Sequence, residues 1–174
     1  FKDDDAVREG RALKHAGYDV VIHGVDAYST LGWFHDPVLN CFVHGSDIDL
    51  AELIFHELTH RRLFRNGDTD FNESMATAFA EEGVKRWLKA RKRTADLRKY
   101  EALLVKREEF YNEIEVTRKK LETLYASGKT DAGKRKLKAA ALKELQDRFI
   151  ALRRRWGGRG LESWLDMKLN NAHL

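Results

Sequence analysis

Residues 54–64 read IFHELTHRRLF, an apolar run interrupted by two histidines four apart, with a glutamate beside the first. Imidazoles and a carboxylate are costly where leucines would pack better, so their placement calls for a chemical reason. On an α-helix, residues four apart sit about 40° apart around the axis and about 6 Å along it. His56 and His60 therefore project side by side, at a separation that suits two ligands of one tetrahedral zinc ion. Glu57 points to the flank of such an ion, where its carboxylate can reach a zinc-bound water without displacing it. This is the physical content of the HExxH motif. The plain alternative is a helix dotted with solvent-facing His and Glu, and the uncharged neighbours Phe55, Leu58 and Thr59 weigh against it.

A third protein ligand has to come from another element. The metzincin pattern would place a glycine and then a histidine three and six residues after the second histidine. Those places hold Leu63 and Asn66, so that pattern is excluded. The next helical stretch carries Glu73, Glu81 and Glu82. If the two helices fold back about Gly67, His60 lies seven residues before the turn and Glu73 six after it, so their heights nearly match. Glu81 would sit about 12 Å further along and about 80° around. Glu73 is the expected ligand. The competing role is a cap: DFNE places Asp70 at a potential N-cap with Glu73 at N3. Small residues around it, Ala76, Ala78 and Ala80, would let the helices approach, and Thr77 one turn on could orient a ligand or simply pack.

Stepping outward, the elements that must position these groups are legible from periodicity. Asp5 to Gly17 has helical spacing and ends on a plausible C-cap. YDVVIHGV reads as a strand, and Leu39 to Val43 as a second, short one. Ser46 is a good N-cap for the HELTH helix, with Asp49 completing a capping box. Leu50, Leu53, Ile54, Leu58 and Leu63 supply its expected buried stripe, and a second helix runs from about Asp70 to Arg91. Two long charged arms follow, with apolar positions at Leu97, Leu104, Ile114, Leu121 and Leu124, then at Leu137, Leu142, Leu145, Phe149 and Leu152. ASGKTDAG separates them, which predicts an antiparallel, coiled-coil-like hairpin. GGRG at 157–160 breaks it before a last helix. The expected fold class is α+β, mostly helical, with a small N-terminal sheet. The expected division is a core over 1–92, a hairpin over 93–156 and a C-terminal helix over 157–174 that returns to the core.

Composition narrows the function classes. The chain has 174 residues, 43% of them hydrophobic, enough for a real core. Basic residues number 32 against 28 acidic, a net charge of +4, which is mild. The basic stretches VKRWLKARKRTADLRK and GKTDAGKRKLKAAALK alternate with acids and match no nucleic-acid reader motif, so no nucleic-acid partner is expected. Cys41 is the single cysteine, which excludes an intrachain disulfide and a thiolate metal site. No apolar run is long enough to span a bilayer. The opening FKDDDAV lacks an initiating Met and reads as a trimmed piece of a longer protein.

AYSTLGWFHDPVL, HELTH, DFNESMATAFAEEG and LNNA together resemble a bacterial family of predicted aminopeptidases, from about Tyr18 to Trp87 and again at Leu169 to Ala172. The Asn72–Glu73 pair followed by Thr77 also resembles the NE helix of gluzincins, although the spacing from His60 is shorter here. These resemblances imply a zincin-like core, one Zn2+ ion held by His56, His60 and Glu73, Glu57 as the catalytic base, and Asn72 and Thr77 supporting the ligands. They also imply a peptide or protein substrate and a place in the envelope or periplasm of a Gram-negative bacterium, with peripheral or lipid-anchored membrane association of the full-length protein. Tyr28 is the expected partner for the developing oxyanion; packing beside Trp33 and Phe34 is its alternative. His23, His35, His44 and His173 are further polar residues that could line a cleft, and Leu39 to Val43 could accept an extended peptide as an edge strand. The expected function is a zinc peptidase. The alternative is a non-catalytic scaffold in which zinc is structural and the helical hairpin binds a protein partner.

Overall fold

Every regular element in the described residues, 3–22 and 46–174 of the computed structural model, is helical. In chain order these are α1 (Asp3–His15), α2 (Asp47–Arg62), α3 (Thr69–Ala90), α4 (Thr94–Ala126), α5 (Asp131–Arg155) and α6 (Glu162–Asp166), then a 3-10 turn (Asn171–His173). The α+β expectation, with a zincin-like core built on a small N-terminal sheet, is therefore corrected: the described residues contain no strand. The β-branched run over 18–22 is irregular and is tied to the C-terminal segment and α5. Asn170 Nδ2 donates to the Val20 carbonyl at 3.2 Å, Asp19 accepts from the Asn171 amide at 3.2 Å, and Lys138 pairs with Asp19. Ile22 meanwhile lies on Gly10, where an added Cβ would come within 2.6 Å of its Cδ1. The Val20 carbonyl is thus satisfied outside any ladder. The second expected strand, Leu39–Val43, lies outside the described residues.

The chain divides into two compact units, Gly24–Ala102 and Phe1–His23 with Leu103–Leu174. In the first, α2 and α3 form an antiparallel hairpin. Ser46 caps α2 through the expected box, accepting from the Asp49 amide at 3.1 Å while Asp49 accepts from the Ser46 amide at 3.4 Å. The inner stripe of α3 is Ala76, Ala80, Val84 and Leu88, each at most 1% exposed. Gly83 extends the small-residue theme: a Cβ there would stand 2.8 Å from the Phe55 ring. Small residues bring the two backbones close enough for side chains from both to share one point. The expected apolar stripe of α2 needs correction, since Ile54, Leu58 and Leu63 are 41%, 47% and 44% exposed, whereas Thr59 and His60 are buried. At the end of the hairpin, Arg93 joins Asp47 of the first turn of α2 to Asp96 of α4 and lies over the Trp87 ring at 5.3 Å.

In the second unit, α1 ends on a Schellman motif, with Tyr18 N–H bonded to Leu13 O at 3.1 Å and Gly17 at φ +90°. The body is the α4–α5 hairpin. Leu121, Leu142, Leu145, Phe149 and Leu152 form its core together with Leu169, and Phe110 and Trp164 pack against it. Full burial of a side chain such as Phe149 or Leu145 contributes about 1.5–3 kcal/mol. One polar layer interrupts the seam. Arg148 donates to Glu113 at 2.6 Å and to the fully buried Thr117 hydroxyl at 2.6 Å, and reaches Glu144 at 3.1 Å. Because Glu113 pairs with residue 148 and Lys120 with residue 144, the layer fixes an antiparallel register. Leu137, expected in the seam, is 43% exposed.

Candidate metal centre

The α2 backbone carries His56 and His60 on one face, and their rings meet edge to face with centroids 4.8 Å apart. The turn into α3 then decides which carboxylate meets them. Asp68, rather than the expected Asp70, is the N-cap of α3, accepting from the Phe71 amide at 3.2 Å. Glu73 is thereby relieved of capping and sits one turn further in, facing the two rings. His56 Nε2 and His60 Nε2 are 3.1 Å apart; Glu73 Oε2 is 3.2 Å from the former and Glu73 Oε1 3.4 Å from the latter.

Glu73 thus turns one carboxylate oxygen to each imidazole, and with one ligand atom taken from each residue the group lies within 4.8 Å. Its chemistry of two imidazoles and one carboxylate suits zinc. Two imidazole nitrogens at 3.1 Å can share at most one proton, so a cation between them and the carboxylate satisfies all three lone pairs at once. Among the described residues, this is the group of His, Cys, Asp and Glu side chains with the geometry to hold a metal ion. The site is graded in depth: the side chains of His60, His56 and Glu73 are 8%, 24% and 57% exposed. On the far side of its ring, His60 Nδ1 is buried and has no hydrogen-bond partner among the described residues.

Asn72 supports this register by a route that spacing could not reveal. It is 2% exposed, its Oδ1 accepts from the Arg65 amide at 2.8 Å, and its Nδ2 donates to the Arg65 carbonyl at 2.8 Å. Both ends of the amide are thus spent on the backbone of one residue in the α2–α3 turn, from the position immediately before Glu73. The signal that could have found it is the polar residue buried on an otherwise alanine-lined face. Thr77, by contrast, is exposed and makes no hydrogen bond among the described residues. The Thr59 hydroxyl is turned back to the Phe55 carbonyl at 2.8 Å.

Glu57 is half-buried and has neither an ion-pair nor a hydrogen-bond partner among the described residues. Glu82 is engaged elsewhere. Hydrogen bonds from Arg86 and then Lys85 hold its carboxyl below the usual range. His173 closes a capping box on the C-terminal 3-10 turn, accepting from the Asn170 amide at 3.0 Å. Tyr28, His23, His35 and His44 lie outside the described residues.

A family model described as "Putative aminopeptidase" matches residues 1–174. Comparison with curated proteins and with solved structures finds no match. By the family model that spans it, this chain belongs to the "Putative aminopeptidase" family.

Proposed function

We propose that the protein is a zinc-dependent peptidase of the HExxH type with a gluzincin-like glutamate, Glu73, as third ligand. The observation that carries this reading is the grouping of His56, His60 and Glu73, whose ligand atoms, one from each residue, lie within 4.8 Å of one another and whose two imidazoles and one carboxylate suit zinc. When bound there, zinc supplies Lewis acidity, polarising a peptide carbonyl and bringing the pKa of a water to about 7. Glu57 takes the proton of the attacking water and returns it to the leaving amine. Among the described residues it has no competing partner, which supports its availability for both transfers, and such general acid–base help is worth about 10²–10⁴-fold. Tyr28 is the group assigned to hydrogen-bond the carbonyl oxygen as charge develops on it.

The alternative scaffold reading requires a closed site, because structural zinc is ordinarily held by four protein ligands. The exposure of Glu73 and the grouping of three ligands support an open one. The test is Glu57→Gln, assayed for bound zinc by elemental analysis and for cleavage of a peptide library. Zinc content should stay at the parent level while turnover falls about 10²–10⁴-fold. Unchanged turnover would remove Glu57 from its role, and absence of zinc from both proteins would remove the reading itself.

A further inference from the structure

In the unit containing Leu103–Leu174, a cleft of about 420 Å³ opens between α4, the loop after α5, and α6. Its walls are aromatic and fixed. Phe110 stacks on the core residue Phe149 at 5.1 Å and meets Trp164 edge to face at 5.0 Å. Trp156 is held by its indole N–H, which donates to Glu109 at 2.6 Å, and the Lys106 ammonium lies 5.5 Å from its ring centre. The loop is made of left-handed backbone: Gly157, Gly158 and Gly160 have φ of +85°, +81° and +87°, and Leu161 follows at +66°. A leucine in that conformation is strained, and such strain collects at ligand clamps. It places Leu161 and Arg159 on the cleft.

The charge on this cleft has one sign. Lys106, Arg107 and Arg159 line it and no carboxylate does. Among the described residues Lys106 and Arg159 form no ion pair, and the nearby Glu109 is already taken by Trp156 and Arg155. A ligand that complements both features has a large apolar body and negative charge close to it. A cleft of this volume is large enough for one such body.

We propose that this cleft binds an acidic peptide segment anchored by a large apolar side chain. The site is separate from the metal ligands in sequence, and the proposal does not depend on zinc. Isothermal titration of the full chain with the capped peptide acetyl-Asp-Glu-Phe-amide tests it, with acetyl-Lys-Lys-Phe-amide and acetyl-Asp-Glu-Ala-amide as comparisons. Mass spectrometry afterwards verifies that the peptides are intact. The acidic phenylalanine peptide should bind at least tenfold more tightly than either comparison. The double substitution Lys106→Glu and Arg159→Glu, with helicity checked by circular dichroism, should weaken it at least tenfold and turn the preference toward the lysine peptide. Equal binding of the three peptides overturns the proposal. So does parent-level affinity in the charge-reversed chain, or a preference for vesicles of anionic lipid over the acidic peptide.

Discussion

The α2–α3 and α4–α5 hairpins share one topology and solve opposite problems. In α2–α3 the seam is lined by Ala76, Ala80 and Gly83, so the backbones close up and long polar side chains from both helices converge at one edge. In α4–α5 the seam is filled by Leu121, Leu145, Phe149 and Leu152, and its one polar layer is neutralised internally by Arg148, Glu113 and Thr117. The difference teaches that chemistry is made possible by what is left out of a seam. Where the space is filled, the hairpin gains stability; where it is kept narrow, donors from two helices come within the coordination distance of a single ion.

Changes to the two seams should therefore separate stability from metal binding. The largest stability loss is expected for Phe149→Ala, which empties the filled seam. A cost of about 3–5 kcal/mol is expected in chemical denaturation, with zinc affinity of the remaining folded protein at the parent level. Gly83→Val should reverse that pattern. Its Cβ would meet the Phe55 ring at 2.8 Å, so the helices must separate. A cost of about 1–3 kcal/mol should come with a measurable loss of zinc affinity by competitive chelator titration. If zinc affinity is untouched, close approach is not what assembles the donors.

Asn72→Ala sharpens the same contrast at one residue. The Arg65 amide and carbonyl lose their partner, costing about 1–3 kcal/mol. Zinc affinity should fall about tenfold, at the lower end of what supporting residues around metal ligands contribute. Asn72→Asp, which keeps the acceptor for the Arg65 amide, should recover part of both. Smallest of all is the acid response of the ion pairs. Burial would raise the Asp19 carboxyl, but hydrogen bonds from Lys138 and the Asn171 amide outweigh it and hold it below the ordinary 3.8. Arg93 does the same for Asp47, chiefly through its hydrogen bond. Depressed carboxyls of this kind stabilise fully above their unfolded pKa, and the contribution is lost as pH falls through the folded value. Lys138→Met and Arg93→Met should each flatten the stability profile below about pH 4, with little change near neutrality.

The grouping of His56, His60 and Glu73 was more legible than the scaffold. HExxH spacing and the height match across Gly67 bring His56, His60 and Glu73 to one point because helical rise and rotation are fixed by backbone geometry. The Ser46–Asp49 box could be read for the same reason. The start of α3 was harder, since Asp68 and Asp70 are both competent caps and only the turn conformation selects the former. Apolar counting failed on α2, where a threonine and a histidine are more buried than the leucines. The β-branched run over 18–22 looked like a strand because propensity does not see that Asn170 takes the Val20 carbonyl and that Asn171 and Lys138 take the Asp19 carboxylate. Asn72 could not be assigned its partner at all, since a backbone peptide carries no sequence signature.

The graded depth of the donor triangle has a kinetic consequence. Among the described residues His60 is walled in and the Glu73 carboxylate is outermost, so an ion held there would meet the acidic arm first. Swinging that one side chain outward would leave a two-coordinate stub, so exchange should be paced by a rotamer flip rather than by unfolding. Small chelators would then strip the ion in the native state, whereas bulky resins would not.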